Sequence, residues 1–326
     1  MFRKTLFGPK KYPLVLMLEP LHACNLRCSG CGRIREYADT LHQRMTLDDC
    51  LSSAKECGAP IVSICGGEPL LYNDIVPLVD ELLKQGRLIY LCTNGLLLEE
   101  KIGAFVELAK KNRYVKSRFY WNVHLDGLAK THDAIVERPG TFDQALRGIQ
   151  AAKQHGFYLY TNTTLYRNCD IDELHQFCET MRQNRVDGLM IAPGFGYESV
   201  GNESFFLTRQ ETNDLFREIR KRFTKFRLTA TPFYLDFLCG DIALRCAAWA
   251  NPTRNVRGWR GPCYLLPDQH FTTFQELLDK TNWDALGFGN DVRCADCLMH
   301  CGYEPAAVLF RNNIFDLLRI GYWQLG

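Results

Sequence analysis

Between about residue 12 and residue 225, short β-rich apolar runs alternate with stretches of helical periodicity. The candidate strands are Tyr12 to Glu19, Ile61 to Cys65, Leu88 to Thr93, Phe119 to Leu125, Tyr158 to Leu165 and Gly188 to Ala192. Helical patterns lie between and after them: Thr46 to Gly58, Asp74 to Gln85, Glu99 to Lys111, and positions 141–155, 171–184 and 208–223. Strands separated by helices of that length imply parallel βαβ units. The expected fold is therefore α/β, a partial (β/α)6 barrel over residues 1–228. Periodicity alone also accommodates a complete eight-unit barrel or an open doubly wound sheet.

Past residue 230 the rhythm stops. Residues 245–305 are rich in Trp, Pro, Gly and Cys, with one clear helix around Thr272 to Lys280. Such a stretch has little core of its own, and a bound metal would hold it together. Residues 229–326 are expected to form a Cys-rich irregular extension. From Ala306 onward the pattern predicts an amphipathic helix with Phe310, Ile314, Phe315, Leu318 and Trp323 as apolar anchors.

No apolar run approaches the roughly 18 residues of a membrane span, and the N-terminus lacks a signal-peptide pattern. The chain is expected to be cytoplasmic, where its 15 cysteines do not form a disulfide framework. A formal charge of +2 leaves no basic footprint for nucleic acid. Clustered cysteines then read as metal ligands, and scattered ones as small buried hydrophobes.

The first cluster is Cys24-Asn-Leu-Arg-Cys28-Ser-Gly-Cys31, directly after the first strand. Thiolates ligate iron–sulfur cubanes, and three of them leave one of four irons open. Ser29, Gly30 and Gly32 let the loop wrap closely. A structural zinc site would want one more ligand. Other distinctive segments end successive strands: Gly66-Gly67-Glu68-Pro69, Cys92-Thr93-Asn94-Gly95, His124-Leu125-Asp126-Gly127, Asn162 with Thr164, and Ala192-Pro193-Gly194. Barrel enzymes build their sites at these carboxyl ends, and period-2 alternation puts Asn122, His124 and Asp126 on one face.

In this order the segments resemble the radical SAM superfamily. The resemblance implies a 4Fe–4S cluster on Cys24, Cys28 and Cys31, with S-adenosylmethionine (SAM) chelating the open iron. It places Gly66, Gly67 and Glu68 at the SAM amino group. It makes Asn94, His124, Asp126, Asn162 and Pro193 further cofactor-binding candidates. Reductive cleavage of SAM would yield a 5′-deoxyadenosyl radical, at the expense of an external one-electron reductant such as flavodoxin or ferredoxin.

A second dense set is Cys294-Ala-Asp-Cys297-Leu-Met-His-Cys301, with Cys263 as the natural fourth ligand. It suits a second 4Fe–4S cluster, with a structural zinc as the rival and Cys246 or His300 as substitute ligands.

Longer segments, among them Trp121 to Gly127, Asn251 to Trp259 and Cys294 to Glu304, resemble the adenosylhopane synthase family of hopanoid biosynthesis. That resemblance implies addition of the adenosyl radical to the terminal alkene of diploptene. The resulting carbon radical needs a hydrogen atom, and Cys92 is the candidate donor; the other reading of Cys92 is a buried strand cysteine. The alternative function is hydrogen abstraction from another lipid or a peptide. A triterpene acceptor also calls for peripheral membrane contact, for which Arg3, Lys4, Lys10, Lys11 and the C-terminal helix are candidates; both have plainer readings as a solvated end and a packed helix.

Overall fold

The computed structural model describes residues 11–200, 203–266, 268–310 and 314–325. Arg3, Lys4 and Lys10 fall outside them.

Six parallel strands form in the expected places: β1 (Val15–Leu18), β2 (Ile61–Ile64), β3 (Leu88–Thr93), β4 (Phe119–His124), β5 (Tyr158–Leu165) and β6 (Gly188–Pro193). Helices α1 (Leu47–Cys57), α2 (Ile75–Lys84), α3 (Leu98–Lys111), α4 (Thr141–Gln154), α5 (Ile171–Gln183) and α6 (Arg209–Arg222) alternate with them. Local chemistry fixes the helix ends. Thr46 and Asp49 form a reciprocal capping box at the start of α1, and Gly58 closes it in the left-handed conformation at φ 69°, satisfying end groups a helix cannot pair itself. Thr208 and Glu211 repeat the box at α6.

The six strands follow one another in unbroken order from β6 to β1. A doubly wound sheet reverses order at a switch point; this one does not, so its helices cover one face and the other becomes the inside of a partial barrel. Burial along the strands agrees. Ile89 and Leu91 in β3 and Leu159, Thr161 and Thr163 in β5 are fully buried, whereas Tyr90, Cys92, Tyr160, Asn162 and Thr164 keep accessible surface. The outer face carries the core, with Phe105 of α3 packed on Phe119 and Trp121 of β4 at centroid distances of 5.4 and 4.7 Å. The inner face, with Tyr90, Cys92, Tyr160, Asn162 and Thr164, is the less buried of the two.

The Cys-rich extension keeps long irregular stretches, and between them adds short strands that the sequence pattern does not announce. β7 (Thr253–Asn255) joins the free edge of β1 in parallel, pairing Met17 with Thr253 and Leu18 with Arg254. β8 (Gly258–Gly261) and β9 (Gln269–Phe271) then add antiparallel strands, making one nine-stranded sheet. Its helices are α7 (Pro232–Leu238), α8 (Phe274–Lys280), α9 (His300–Leu309) and α10 (Ile314–Leu325). The helix expected from Ala306 onward falls on two: α9, which begins six residues earlier at His300 and ends at Leu309, and α10, which carries Ile314, Phe315, Leu318 and Trp323. Of the proposed anchors, Trp323 docks, its indole N–H donating to the Ala230 carbonyl at 2.8 Å. Phe315 and Leu318 remain 79% and 62% exposed. Among the described residues no helix is long and apolar enough to cross a membrane.

Candidate functional site

The loop after β1 carries Cys24, Cys28 and Cys31 to the rim of a cavity of about 260 Å³, which Arg33, Gly66 and Gly67 also line. The loop is tied down on both sides. Ser29 donates from its amide and hydroxyl to the Ile135 carbonyl at 2.9 and 3.2 Å, and the Gly32 amide donates to the Tyr197 hydroxyl at 2.9 Å. Gly30 is required by space, since a Cβ there would lie 2.2 Å from the Tyr166 hydroxyl. Burial pushes the Cys24 thiol up to about 11 and Cys28 upward too. Such thiols lose their protons readily only to a strong cation, which suits iron–sulfur ligation.

Gly66 and Gly67 slide beneath the loop. Gly66 has φ +109°, and a Cβ on Gly67 would sit 2.0 Å from the Ala23 carbonyl. Backbone amides here bond the loop, Gly67 to Leu21 at 3.0 Å and Glu68 to Ala23 at 2.9 Å. The buried Glu68 carboxylate accepts from the Leu70 amide, the Thr93 hydroxyl and the Asn94 amide at 2.9, 2.8 and 2.8 Å. About one acceptor position remains of the four a carboxylate offers. Asn94 in turn donates from Nδ2 to Asn25 Oδ1 at 2.7 Å, with Cys24 Sγ at 3.9 Å. Its side chain addresses the cysteine loop.

On the opposite rim, His124 Nε2 lies 2.7 Å from Asp126 Oδ2. Burial lowers the imidazole pKa, but Asp126 outweighs burial and the net shift is upward. Asp126 also accepts from the Thr164 amide at 2.8 Å, and the Leu125 amide donates to the Asn162 carbonyl at 3.0 Å, locking the tops of β4 and β5. Pro193 ends β6, where the Gly194 amide bonds the Leu165 carbonyl at 2.7 Å. Lower on the inner face, Cys92 Sγ lies 3.3 Å from Ser63 Oγ and 3.7 Å from Asn122 Nδ2. Burial raises its pKa, so it stays a thiol at neutral pH, although its side chain is only partly buried.

The second set converges in the extension. Cys263, Cys294, Cys297 and Cys301 line one pocket, and Cys246 joins them as a fifth thiol. Glycine makes this possible: a Cβ on Gly302 would stand 2.6 Å from Cys246 Sγ. Burial pushes Cys246 up to about 12. His300 is partly buried but does not line the pocket. Among the described residues no three His, Cys, Asp or Glu side chains converge on a point as a single metal ion would require.

One feature has no counterpart in the sequence motifs. Buried Arg33 meets Glu19 Oε1 at 3.2 Å and Glu36 Oε2 at 3.3 Å, and donates to the Tyr264 carbonyl at 3.2 Å. Arg260 pairs with the same Glu36 and donates to the Cys263 carbonyl at 3.3 Å. A buried ionic network therefore spans the two cysteine sites. Arg260 stands more than two hundred residues from Glu19, Arg33 and Glu36, so no local pattern reveals the network.

Comparison with known proteins matches residues 18–181 to the radical SAM superfamily and residues 189–319 to a domain of unknown function, DUF3463. A GTP 3′,8-cyclase of Clostridium perfringens (strain SM101 / Type A) is 30% identical over 171 residues, 50% of each chain. An AdoMet-dependent heme synthase of Methanosarcina barkeri (strain Fusaro / DSM 804) is 27% identical over 270 residues, 78% of this chain and 74% of that one. This chain thus spans about half the length of the cyclase. Streptococcus suis SuiB bound to S-adenosylmethionine shares the fold at TM-score 0.64 and 16% identity, over 90% of this chain and 69% of that one. The match over half the chain makes it a member of the radical SAM superfamily, enzymes that use a 4Fe–4S cluster and S-adenosylmethionine.

Proposed function

We propose that the chain joins the 5′-deoxyadenosyl group of SAM to the terminal alkene of a triterpene, diploptene, and saturates the adduct with a hydrogen atom from Cys92. The observation that carries this reading is the partly buried Cys92 thiol on the inner face of the barrel, 3.3 Å from Ser63 Oγ. Addition to an alkene leaves a carbon radical that must be quenched, whereas hydrogen abstraction needs no such donor. Bound at the first site, the cluster and SAM supply the adenosyl radical.

The chain's own residues then divide the work. Cys24, Cys28 and Cys31 hold the cluster. The backbone of Gly66 and Gly67, with the remaining acceptor of Glu68, receives the methionyl amino group. Asn94 orients the loop beside Cys24, the kind of neighbouring hydrogen bond that tunes a metal ligand. His124 and Asp126 brace the rim on which Asn162 and Pro193 lie. Four of the five thiols in the extension, residues 229–326, hold a second cubane. Their spread around a pocket favours a cubane over zinc, whose four ligands crowd one ion. An external flavodoxin or ferredoxin supplies electrons, and the exposed face of α10 meets the membrane that carries the acceptor.

The test is product analysis of anaerobically reconstituted protein with SAM, dithionite and diploptene. A product mass equal to diploptene plus 5′-deoxyadenosine supports the reading. Stoichiometric free 5′-deoxyadenosine points instead to hydrogen abstraction from another lipid or a peptide. A saturated adduct formed at wild-type rate by Cys92→Ala would remove Cys92 from the mechanism.

A further inference from the structure

Four tyrosines occupy the inner wall of the barrel below Cys92. Tyr90 of β3 stands opposite Tyr120 of β4, and Tyr120 opposite Tyr158 of β5. Ring centroids are 5.3 Å apart for Tyr90 and Tyr120, and 5.4 Å for Tyr120 and Tyr158. Tyr160 adds a fourth ring, 5.4 Å from Tyr120 and 6.0 Å from Tyr90. Interplanar angles of 27° to 33° make these tilted stacks rather than edge contacts. Two ends define the array. Tyr90 precedes Cys92 by two residues and so shares its face of β3. Tyr158 is 44% exposed at the start of β5.

Phenylalanine would fill this space equally well, so packing alone gives no reason for four phenols in contact. A phenol differs in being able to give up an electron and its proton together. Electron exchange between rings in van der Waals contact is fast beside turnover at typical enzymatic rates. The wall therefore stacks phenols from exposed Tyr158 to Tyr90, which lies two residues from Cys92 on the same face of β3.

We propose that Tyr158, Tyr120, Tyr160 and Tyr90 form a one-electron relay that regenerates the Cys92 thiol after each turnover. The proposal rests on the reading of Cys92 as hydrogen donor. When the adduct radical takes hydrogen from Cys92, a C–H bond forms, the S–H bond breaks, and a thiyl radical remains. Tyr90 returns a hydrogen atom, its phenolic proton with one electron, so that S–H re-forms and a tyrosyl radical is left. Tyr120 restores Tyr90 in the same way, directly or through Tyr160, and Tyr158 restores Tyr120. At the surface a low-potential one-electron reductant, a flavodoxin, a ferredoxin or dithionite, gives an electron to Tyr158, and water gives the proton. The reductant is oxidised by one electron, and the adduct radical gains one electron and one proton. A protein reductant cannot touch a thiol on the inner face of the barrel, so the relay brings the electron to it. Each step needs the donor in its protonated form. Burial raises the pKa of both Tyr90 and Cys92, which keeps them so. Burial raises the pKa of Tyr120 and Tyr160 as well, with Arg227 and Asp187 acting on both by charge.

The path runs in both directions, so a photo-oxidant can test it with no acceptor present. The full-length reconstituted chain is flash-oxidised with tris(bipyridine)ruthenium(III) in the presence of a nitrone spin trap, and adducts are mapped by peptide mass spectrometry. The wild type is expected to carry adducts at Cys92. Tyr158→Phe, and Tyr120→Phe combined with Tyr160→Phe, should lower that labelling by an order of magnitude while leaving exposed Tyr322 labelled as before. These conservative changes keep the rings, and an unchanged circular dichroism spectrum and melting temperature exclude misfolding. Unchanged Cys92 labelling in the double variant would overturn the relay. Turnover with SAM, reduced flavodoxin and diploptene gives a separate readout: Tyr90→Phe should stop at about one saturated adduct per chain, one equivalent per thiol. A wild-type rate for Cys92→Ala would instead sink the donor reading on which the relay depends, so the two failures are distinguishable.

Discussion

The guanidinium of Arg33 lies 4.1 Å from the centroid of the Tyr264 ring. Arg33 follows Cys31 by two residues and Tyr264 follows Cys263 by one, so this stack fastens the loop of the first cysteine set to that of the second. Arg33 is also the partner of buried Glu19. Removing one member of a buried pair leaves an uncompensated charge, which costs about 3–5 kcal/mol. Arg33→Leu is therefore expected to lower the denaturation midpoint and the iron content together. Arg33→Lys should rescue little, because an ammonium has neither the fork nor the flat face that this site uses. Recovery of stability and iron by lysine would show that charge alone matters here.

The two thiol sets can be separated by their glycines. A methyl on Gly67 would collide with the backbone of Ala23, and one on Gly302 with Cys246 Sγ. Gly302→Ala is expected to lower bound iron from about eight atoms per chain to about four, since each cubane holds four, while SAM binding persists. Gly67→Ala should remove SAM binding and the iron of the first site. Full iron in Gly302→Ala would mean that Cys246 is the spare thiol among the five.

Much of the barrel was legible because its signals are local. Leu88–Thr93 and Tyr158–Leu165 form as read, and the Thr46 capping box and Gly58 mark both ends of α1. The extension was not, because its signals are non-local. Thr253-Arg254-Asn255 is too short to register as a strand, and it becomes one by pairing with β1, some 236 residues earlier in the chain. The start of α9 was masked by Gly302 and Pro305, which argue against a helix locally, although its buried face with Tyr303, Ala306 and Ala307 overrides them. Both cysteine motifs were visible as spacing. The fifth thiol at Cys246 was foreseen only as a substitute, since nothing in sequence ties it to residues fifty positions on.

Helix α10 offers a test of membrane contact. Ile314, Phe315, Leu318 and Tyr322 are 63%, 79%, 62% and 83% exposed. The other side is held by Trp323 and by Arg319, which donates to Asp236 at 2.8 Å. With Arg319 engaged, binding to a bilayer would rest on apolar burial rather than on anionic lipid. Truncation after Phe310 should abolish co-sedimentation with neutral phosphatidylcholine vesicles while preserving the melting transition. Equal sedimentation of the truncated and full-length chains would remove α10 from that role.

Glu304 makes the pH dependence of stability predictable in sign. Its carboxyl lies three residues after Cys301, accepts from the Thr231 amide at 2.8 Å, and is pushed by burial up to about 7 from an ordinary 4.5. A carboxyl whose folded pKa is raised binds its proton more tightly in the folded state. The stability this gives is complete below the unfolded pKa and is lost as pH rises through the folded one. The wild type should therefore weaken between about pH 4.5 and about pH 7. The loss is about 3 kcal/mol at most, since a tenfold difference in proton affinity between folded and unfolded chains corresponds to about 1.4 kcal/mol. Glu304→Gln keeps an oxygen to accept from Thr231 but cannot ionise, so it lacks this slope. Urea midpoints across the range should show the variant gaining on the wild type as pH rises. A wild type that gains instead would mean that Glu304 is ionised and paired in the folded protein, with its charge stabilised from the side of the second cysteine set.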